Sequence, residues 1–452
     1  MENQVKVQPQ NSEVREPPRS FWSALRYIGP GLILSAAIVG SGELIATTAL
    51  GKEAGFALLW VILLGCFVKV AVQLEYGRYT IQYGLPTYQA WNRVGRWKIA
   101  GIHWSVYAGV LYMISSFAGQ AGVLGGSAQV GTYAFPAISV PIWTVLIVVL
   151  LAFLVFHGKY APVEAIATLF NFIFVAAIFY CVVAVQSTEY AFRWSDLLEG
   201  FTFRLPGDRW KLALAAFGII GIASGEISMY PYWCLEKGYA TWTGVNDGTQ
   251  EWVERARGWI RVMTMDALVS MCVYTLATCG FFVLGATVLR AQPDLADGNQ
   301  FIVQLSSMFT EILGPGTQAI FMFCAFIVLF STVFANTASF SRLWTDFYYL
   351  CGWIDWYDIH QRRKSIAIMA WVFPVLCGII YFIIQQPLLL VVFMGISNAI
   401  FLVVVAYQAV IFRYKHTQPE LKPSIFYDIW LWISILSICY MAYRTVFALF
   451  RG

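Results

Sequence analysis

The sequence predicts an all-α integral membrane protein with about eleven transmembrane helices, and three observations lead there. The first is composition. Of 452 residues, 59% are apolar, 17% aromatic and only 12% charged. Soluble domains carry about 25% charged residues, so this chain lacks the charge to coat a globular surface and a water-soluble enzyme is not expected. The second is the run length of the apolar stretches, which are long and do not alternate, against a β-barrel. The third is a string, Ser-Gly-Glu, that recurs in the middle of two of those stretches.

Residues 1–20 are polar and contain prolines, and they precede no cleavable signal. They read as a disordered cytosolic tail. The remainder, 21–452, reads as a single transmembrane domain. Its apolar segments run over about 27–50, 55–82, 101–128, 138–156, 160–185, 210–235, 260–289, 316–346, 365–385, 388–412 and 427–448. Many exceed the roughly 20 residues that cross a bilayer, which predicts tilt or local breaks. The first five segments form a candidate repeat over about 27–185. The next five form a second over about 210–412, and 427–448 is an extra helix.

Basic residues in short loops set orientation. Arg93, Arg96 and Lys98 follow segment 2, Lys159 follows segment 4, Arg362, Arg363 and Lys364 follow segment 8, and Arg413, Lys415 and Lys422 follow segment 10. The N-terminus is therefore expected in the cytoplasm, with the protein in the plasma (inner) membrane. Tryptophans at segment ends, such as Trp22, Trp104 and Trp353, read as interface anchors.

Segments 1 and 6 carry the unusual interior residues. Segment 1 holds Gly40-Ser41-Gly42-Glu43, and segment 6 holds Ala223-Ser224-Gly225-Glu226. Glycine costs a helix about 1 kcal/mol, and a carboxylate at mid-bilayer costs at least about 2.5 kcal/mol. Discontinuous helices explain both, because unwound backbone is tolerated where it lines a cavity. Two breaks five helices apart are where inverted-repeat secondary transporters place their substrate. The alternative for Gly40 and Gly42 is close helix packing.

Lys69, mid-segment 2, must pair, snorkel or lose its proton. Glu43, Glu226 and Glu75 are its candidate partners. It is either a buried ion pair or a substrate-facing charge. Glu75 and Arg78 read as a surface or gating i, i+3 pair near the inner end, Asp266 as an interfacial residue, and Arg342 with Asp346 as an i, i+4 pair at the inner end of segment 8. Gln120, Gln129, Asn171 and Asn398 are polar residues suited to a pathway, and Asn398 equally suits an interhelical hydrogen bond. There is no Walker A string, no Ser-His-Asp or zinc constellation, and none of the nine cysteines forms a CxxC pair. An enzyme, an ATP-driven pump, a cofactor and a nucleic-acid partner are not expected.

At this point the chain resembles the Nramp family of metal-ion transporters. Gly29-Pro30-Gly31-Leu32 before segment 1, Gly55-Phe56-Ala57-Leu58-Leu59-Trp60-Val61 opening segment 2, and Phe330-Ser331-Thr332-Val333 in segment 8 carry the resemblance. It implies a leucine-transporter-like fold of two inverted five-helix repeats with helices 1 and 6 broken. The family's most specific motifs are altered. Its Asp-Pro-Gly-Asn in segment 1 aligns with Gly40–Glu43, and its Ala-x-x-Met-Pro-His in segment 6 aligns with Ala223–Ser228. The Asp-Leu-Ala-Glu of segment 3 aligns with Gly119-Gln120-Ala121-Gly122. The metal-binding methionine and aspartate are thus lost, together with the histidine and acids associated with proton transport.

The resemblance implies a secondary transporter of a small inorganic ion that works by alternating access in the lipid bilayer; a monomer is one expectation, with the oligomeric state left open by the sequence. Three functions remain open. The first is transport of a hard divalent cation such as magnesium, bound by Glu43 and Glu226 with Gly40, Ala223 and Asn398 nearby and without the family's proton coupling. The second is transport of a small oxyanion such as bicarbonate, held by Gly-Ser-Gly amides and Lys69. The third is a non-transporting receptor or scaffold.

Overall fold

The computed structural model describes residues 14–156, 160–203, 210–292, 304–305, 307–314 and 318–451. Lys159, residues 1–13 of the expected tail and the first residues of segment 8 lie outside that set, as do the side chains of Ser41 and Asn171. Every one of the eleven apolar segments is represented by helix. Among the described residues, seven helical stretches are long and apolar enough to cross a membrane, and the bent pair Phe21–Tyr27 and Pro30–Ile38, meeting at 63°, can supply an eighth crossing.

Segment 1 begins at α1 (Pro30–Ile38), where Pro30 stands in the first turn and sacrifices no hydrogen bond. It continues as α2 (Thr48–Ala54). Segment 2 is α3 (Leu59–Tyr83), followed by the short α4 (Thr87–Val94). A two-residue hairpin then pairs Lys98 with His103 and Ile99 with Ile102, antiparallel. Segments 3, 4 and 5 are α5 (Trp104–Ala134), α6 (Val140–Phe156) and α7 (Tyr160–Ala184). Segment 6 is split into α8 (Trp210–Ile219) and α9 (Ser224–Lys237). Segments 7 to 11 are α10 (Gln250–Thr287), α11 (Gln318–Leu350), α12 (Ile359–Ile383), α13 (Pro387–Ile411) and α14 (Ile425–Arg451).

One layer packs α10 against α1, α2 and α3; a second packs α5, α6, α11 and α12 together; α13 bridges them by lying against both α5 and α8. α14 covers α3 and α13 from outside. Its outward residues Phe426, Ile429, Ile433 and Leu436 are exposed, as are Val145, Val149 and Phe153 of α6, which is the pattern of lipid-facing helices.

The basic loops meet on one face. There the Tyr83 hydroxyl donates to the His416 carbonyl (2.6 Å), Arg78 Nη1 to the Leu421 carbonyl (3.2 Å) and Arg257 Nη2 to the Glu420 carbonyl (2.9 Å). The chain from Arg15 packs there too: its amide donates to the Trp242 carbonyl (3.0 Å), and Trp259 Nε1 donates to the Arg15 carbonyl (2.9 Å).

The two predicted breaks differ. Segment 6 is broken over Ile220–Ala223, immediately before the predicted Ser224–Gly225, which instead opens α9. Segment 1 is not unwound. Val39–Thr47, containing Gly40-Ser41-Gly42-Glu43, forms wide π-helical turns joining α1 to α2. The reason is partly packing: a Cβ on Gly40 would lie 2.7 Å from Thr332 Cβ of α11. Gly40 therefore serves close helix approach, and the widened turns absorb the rest. Such π-segments recur at functional sites.

Gly221 is what makes the segment 6 break available. Its φ is +63°, and a Cβ there would stand 3.0 Å from Cys66 Cα. Both strain and contact oppose any other residue. Gly221→Ala should lower stability by at least about 1–2 kcal/mol, read as a depressed thermal midpoint in detergent. A wild-type midpoint would contradict this account of the break.

Candidate functional site

α8 ends inside the protein, so its last carbonyls lack intrahelical partners. Lys69 of α3 supplies one. Its Nζ donates to the carbonyls of Phe217 (2.5 Å) and Ile220 (2.6 Å) and lies 4.8 Å from the centroid of the Phe217 ring. The side chain is fully buried. The expected partners were Glu43, Glu226 or Glu75, and the structure corrects this: Lys69 binds backbone, with Glu226 and Glu43 near enough to act on it electrostatically. Glu75 is instead engaged by Arg78 (3.2 Å), and that pair is buried rather than at the surface.

The other side of the break is met by carboxylates. Glu43, on the π-turns of segment 1, accepts from the Gly221 amide through Oε1 (3.2 Å), which also lies 3.0 Å from the Thr278 hydroxyl of α10. Glu226 sits in the first turn of α9. Its carboxylate faces the amides of Ala223 and of its own residue, where the positive end of the helix dipole favours a negative group. One oxygen on each, Glu43 Oε2 and Glu226 Oε2, is shielded and makes no hydrogen bond. Glu43 is fully buried, whereas Glu226, between the buried Gly225 and Ile227, keeps partial exposure as a residue.

Ser224 and Asn398 also meet. The Ser224 hydroxyl donates to Asn398 Oδ1 (2.6 Å), while Asn398 Nδ2 donates to the Met394 carbonyl (3.2 Å). Tyr112 of α5 was not singled out in the sequence. Its hydroxyl lies against Gly225, Ser224 and Asn398, and its ring stacks on Phe401 at 4.5 Å and 7°. Thr278, Gly221 and the carbonyls of Phe217 and Ile220 were missed as well. Tyr112 and Thr278 are single polar groups in apolar runs, and the carbonyls leave no trace in a sequence. Gly221, three residues after Gly218, was a readable signal.

Of the ten candidate residues, Glu43, Lys69, Ala223, Ser224, Gly225, Glu226 and Asn398 surround the break. Gly40 contacts Thr332 instead, and Ser41 and Gly42 continue the π-turns. Gln120 and Gln129 lie elsewhere on α5, donating to Met394 Sδ and the Tyr381 hydroxyl. Among the described residues, no group of three or more His, Cys, Asp or Glu side chains could hold a metal ion.

Two acids assigned to the periphery are buried anchors. Asp266 of α10 accepts the amides of Gly29 and Gly31 (2.7 Å each) and the Tyr230 hydroxyl (3.1 Å), capping α1 rather than standing at the interface. Arg342 and Asp346 do not pair. Arg342 binds Glu236 and lies 4.6 Å from the centroid of the Trp233 ring. Asp346 accepts the Tyr232 hydroxyl (2.5 Å), the Tyr88 amide (3.0 Å) and Gln89 Nε2 (2.9 Å).

Comparisons with known proteins bear on the family and the fold. The natural resistance-associated macrophage protein-like family matches over residues 31–448. An uncharacterised protein of Pasteurella multocida (strain Pm70) is 23% identical over 346 residues, covering 72% of this chain and 71% of that one. The manganese transporter of Eremococcus coleocola, in complex with an aromatic bis-isothiourea substituted compound, superposes with a TM-score of 0.69 at 14% identity, covering 96% and 90% of the two chains. The nucleobase-cation-symport-1 transporter MHP1, closed on bromovinylhydantoin, gives a TM-score of 0.55 at 14% identity over 98% and 93%. These structural likenesses establish the fold, that of the leucine-transporter-like group.

The Ser224–Asn398 bond joins α9 to α13 directly. In a double-mutant cycle of Ser224→Ala and Asn398→Ala, the coupling should be about 0.5–1.5 kcal/mol, measured by chemical unfolding. Strict additivity would remove the bond from the account.

Proposed function

The chain belongs to the natural resistance-associated macrophage protein-like family, membrane transporters rather than enzymes, and on that premise we propose that its substrate is a hard divalent cation such as magnesium. The observation that carries the reading is the pair of buried, unpartnered oxygens, Glu43 Oε2 and Glu226 Oε2, beside the segment 6 break. Free carboxylate oxygens favour hard ions over soft ones. Magnesium keeps several waters and takes one or two carboxylates, so two glutamates suffice. Glu226 contributes its oxygen from the start of α9, and Glu43 completes the site from segment 1.

Charge supports the same choice. The Lys69 ammonium is answered by the carbonyl end of α8, where a helix carries about −0.5 elementary charge. The two carboxylates are left to a cation. For an oxyanion the arrangement is poor. The ammonium already has two carbonyls, and the first amides of α9 face Glu226. Gly119 and Gly122 stand where the family's segment 3 carries its acids, and Ser228 where its histidine stands, so the cation moves without the family's proton coupling. The positive-inside rule supports reading the basic face as cytoplasmic, with the N-terminus on the cytoplasmic side of a plasma membrane.

Purified protein in liposomes should take up Mg²⁺ in a saturable manner, with Mn²⁺ a poor competitor and no accompanying stoichiometric proton flux. Glu226→Gln should lower Mg²⁺ uptake by about tenfold or more, as expected from loss of a charge-assisted contact of about 1.5–3 kcal/mol. Bicarbonate flux with no Mg²⁺ flux would replace the cation reading by the oxyanion one. No flux of either would favour a receptor or scaffold.

A further inference from the structure

We infer that the Lys69 ammonium is a resident cation: it occupies a cation-binding cradle at the cut end of α8, so the break in segment 6 is held without an ion drawn from solution. This reaches beyond the choice of substrate and does not depend on it.

The cradle has the parts that a small free cation would require. Two backbone carbonyls, Phe217 and Ile220, point at Nζ from 2.5 and 2.6 Å. They belong to a helix C-terminal end, whose dipole favours positive charge. The Phe217 ring adds its π-face at 4.8 Å from Nζ to the centroid. Glu43 and Glu226 lie within electrostatic reach. Half-helix carbonyls of this kind bind alkali ions or protons in discontinuous-helix transporters. Here the position is filled by a side chain tethered through α3.

Tethering has two physical consequences. The cradle is occupied at any ionic composition, so the break needs no coupling ion for its integrity. The occupant also cannot leave with the substrate, so its charge stays beside the two glutamates throughout. A lysine suits this better than an arginine, because an ammonium is a compact point charge with three donors. A glutamine could offer N–H donors to the carbonyls but no charge.

The test is thermal unfolding of the full-length protein in detergent, in ammonium, methylammonium, potassium or choline chloride at equal ionic strength. Wild type should unfold at one temperature in all four. Lys69→Ala leaves room for an ion. Its midpoint should be depressed in choline and rise saturably with ammonium or methylammonium, as linkage to a bound ligand requires. Lys69→Gln should be depressed as well, showing that donors without charge do not suffice. A Lys69→Ala midpoint independent of the salt would overturn the inference, because a packing defect alone gives that result. A wild-type midpoint for Lys69→Gln would also overturn it. So would failure to recover both variants in every salt, since a genuine cradle accepts an ion from solution. Absence of Mg²⁺ uptake by wild type would defeat the substrate reading and leave these outcomes unchanged.

Discussion

The contact between the Lys69 ammonium and the carbonyls of Phe217 and Ile220 is the one on which the rest of the site depends. A helix that stops in a protein interior leaves carbonyls that no water can satisfy, and each unmet group costs free energy comparable to a lost hydrogen bond. Lys69 meets two of them at once. With α8 ended there, Gly221 can turn, its amide can reach Glu43, and α9 can begin at Ser224 with Glu226 over its first amides. Each charged residue near the break thus has a local duty to the backbone. What exceeds that duty is one oxygen on each glutamate.

The far end of α9 is treated differently. Tyr230 and Tyr232 donate to Asp266 and Asp346 on two separate helices, and Glu236 binds Arg342. Asp266 also holds the start of α1, and Asp346 holds the start of α4. α9 is therefore fixed by satisfied polar contacts toward the basic face, while at its other end Glu226 retains a carboxylate oxygen without a partner. Rigidity at one end and an open valence at the other is what a binding element on a fixed scaffold requires.

Much of this was legible in the sequence. The eleven segments follow from hydropathy because a helix in lipid must satisfy its own backbone. The segment 6 break was readable to within a few residues, since Gly221, Gly225 and Glu226 together oppose an apolar helix. Segment 1 was misread as unwound. Its Gly40 is equally consistent with a break and with close packing, and only the position of Thr332 on a helix almost 300 residues away decides between them. The partner of Lys69 was beyond sequence reasoning, which looks for an opposite side-chain charge and cannot see a carbonyl. Arg342 and Asp346 were misassigned for a related reason. Their partners Glu236 and Tyr232 come from a distant segment, and local spacing suggested nearer ones; Asp266, read as interfacial, likewise binds distant groups, Gly29 and Gly31. Family membership placed the fold, while the altered motifs left the substrate to be argued from the groups now present.

The central claim is that the two unpartnered glutamate oxygens form a site for a hard divalent cation. Calorimetric titration of the purified protein with Mg²⁺, beside the Glu43→Gln, Glu226→Gln double variant, tests it most directly. The account predicts saturable Mg²⁺ binding to the wild type and none to the variant, with the thermal midpoint of the variant checked to confirm that it is folded. Equal Mg²⁺ binding by both proteins, or tight Cd²⁺ binding that outcompetes Mg²⁺, would contradict it.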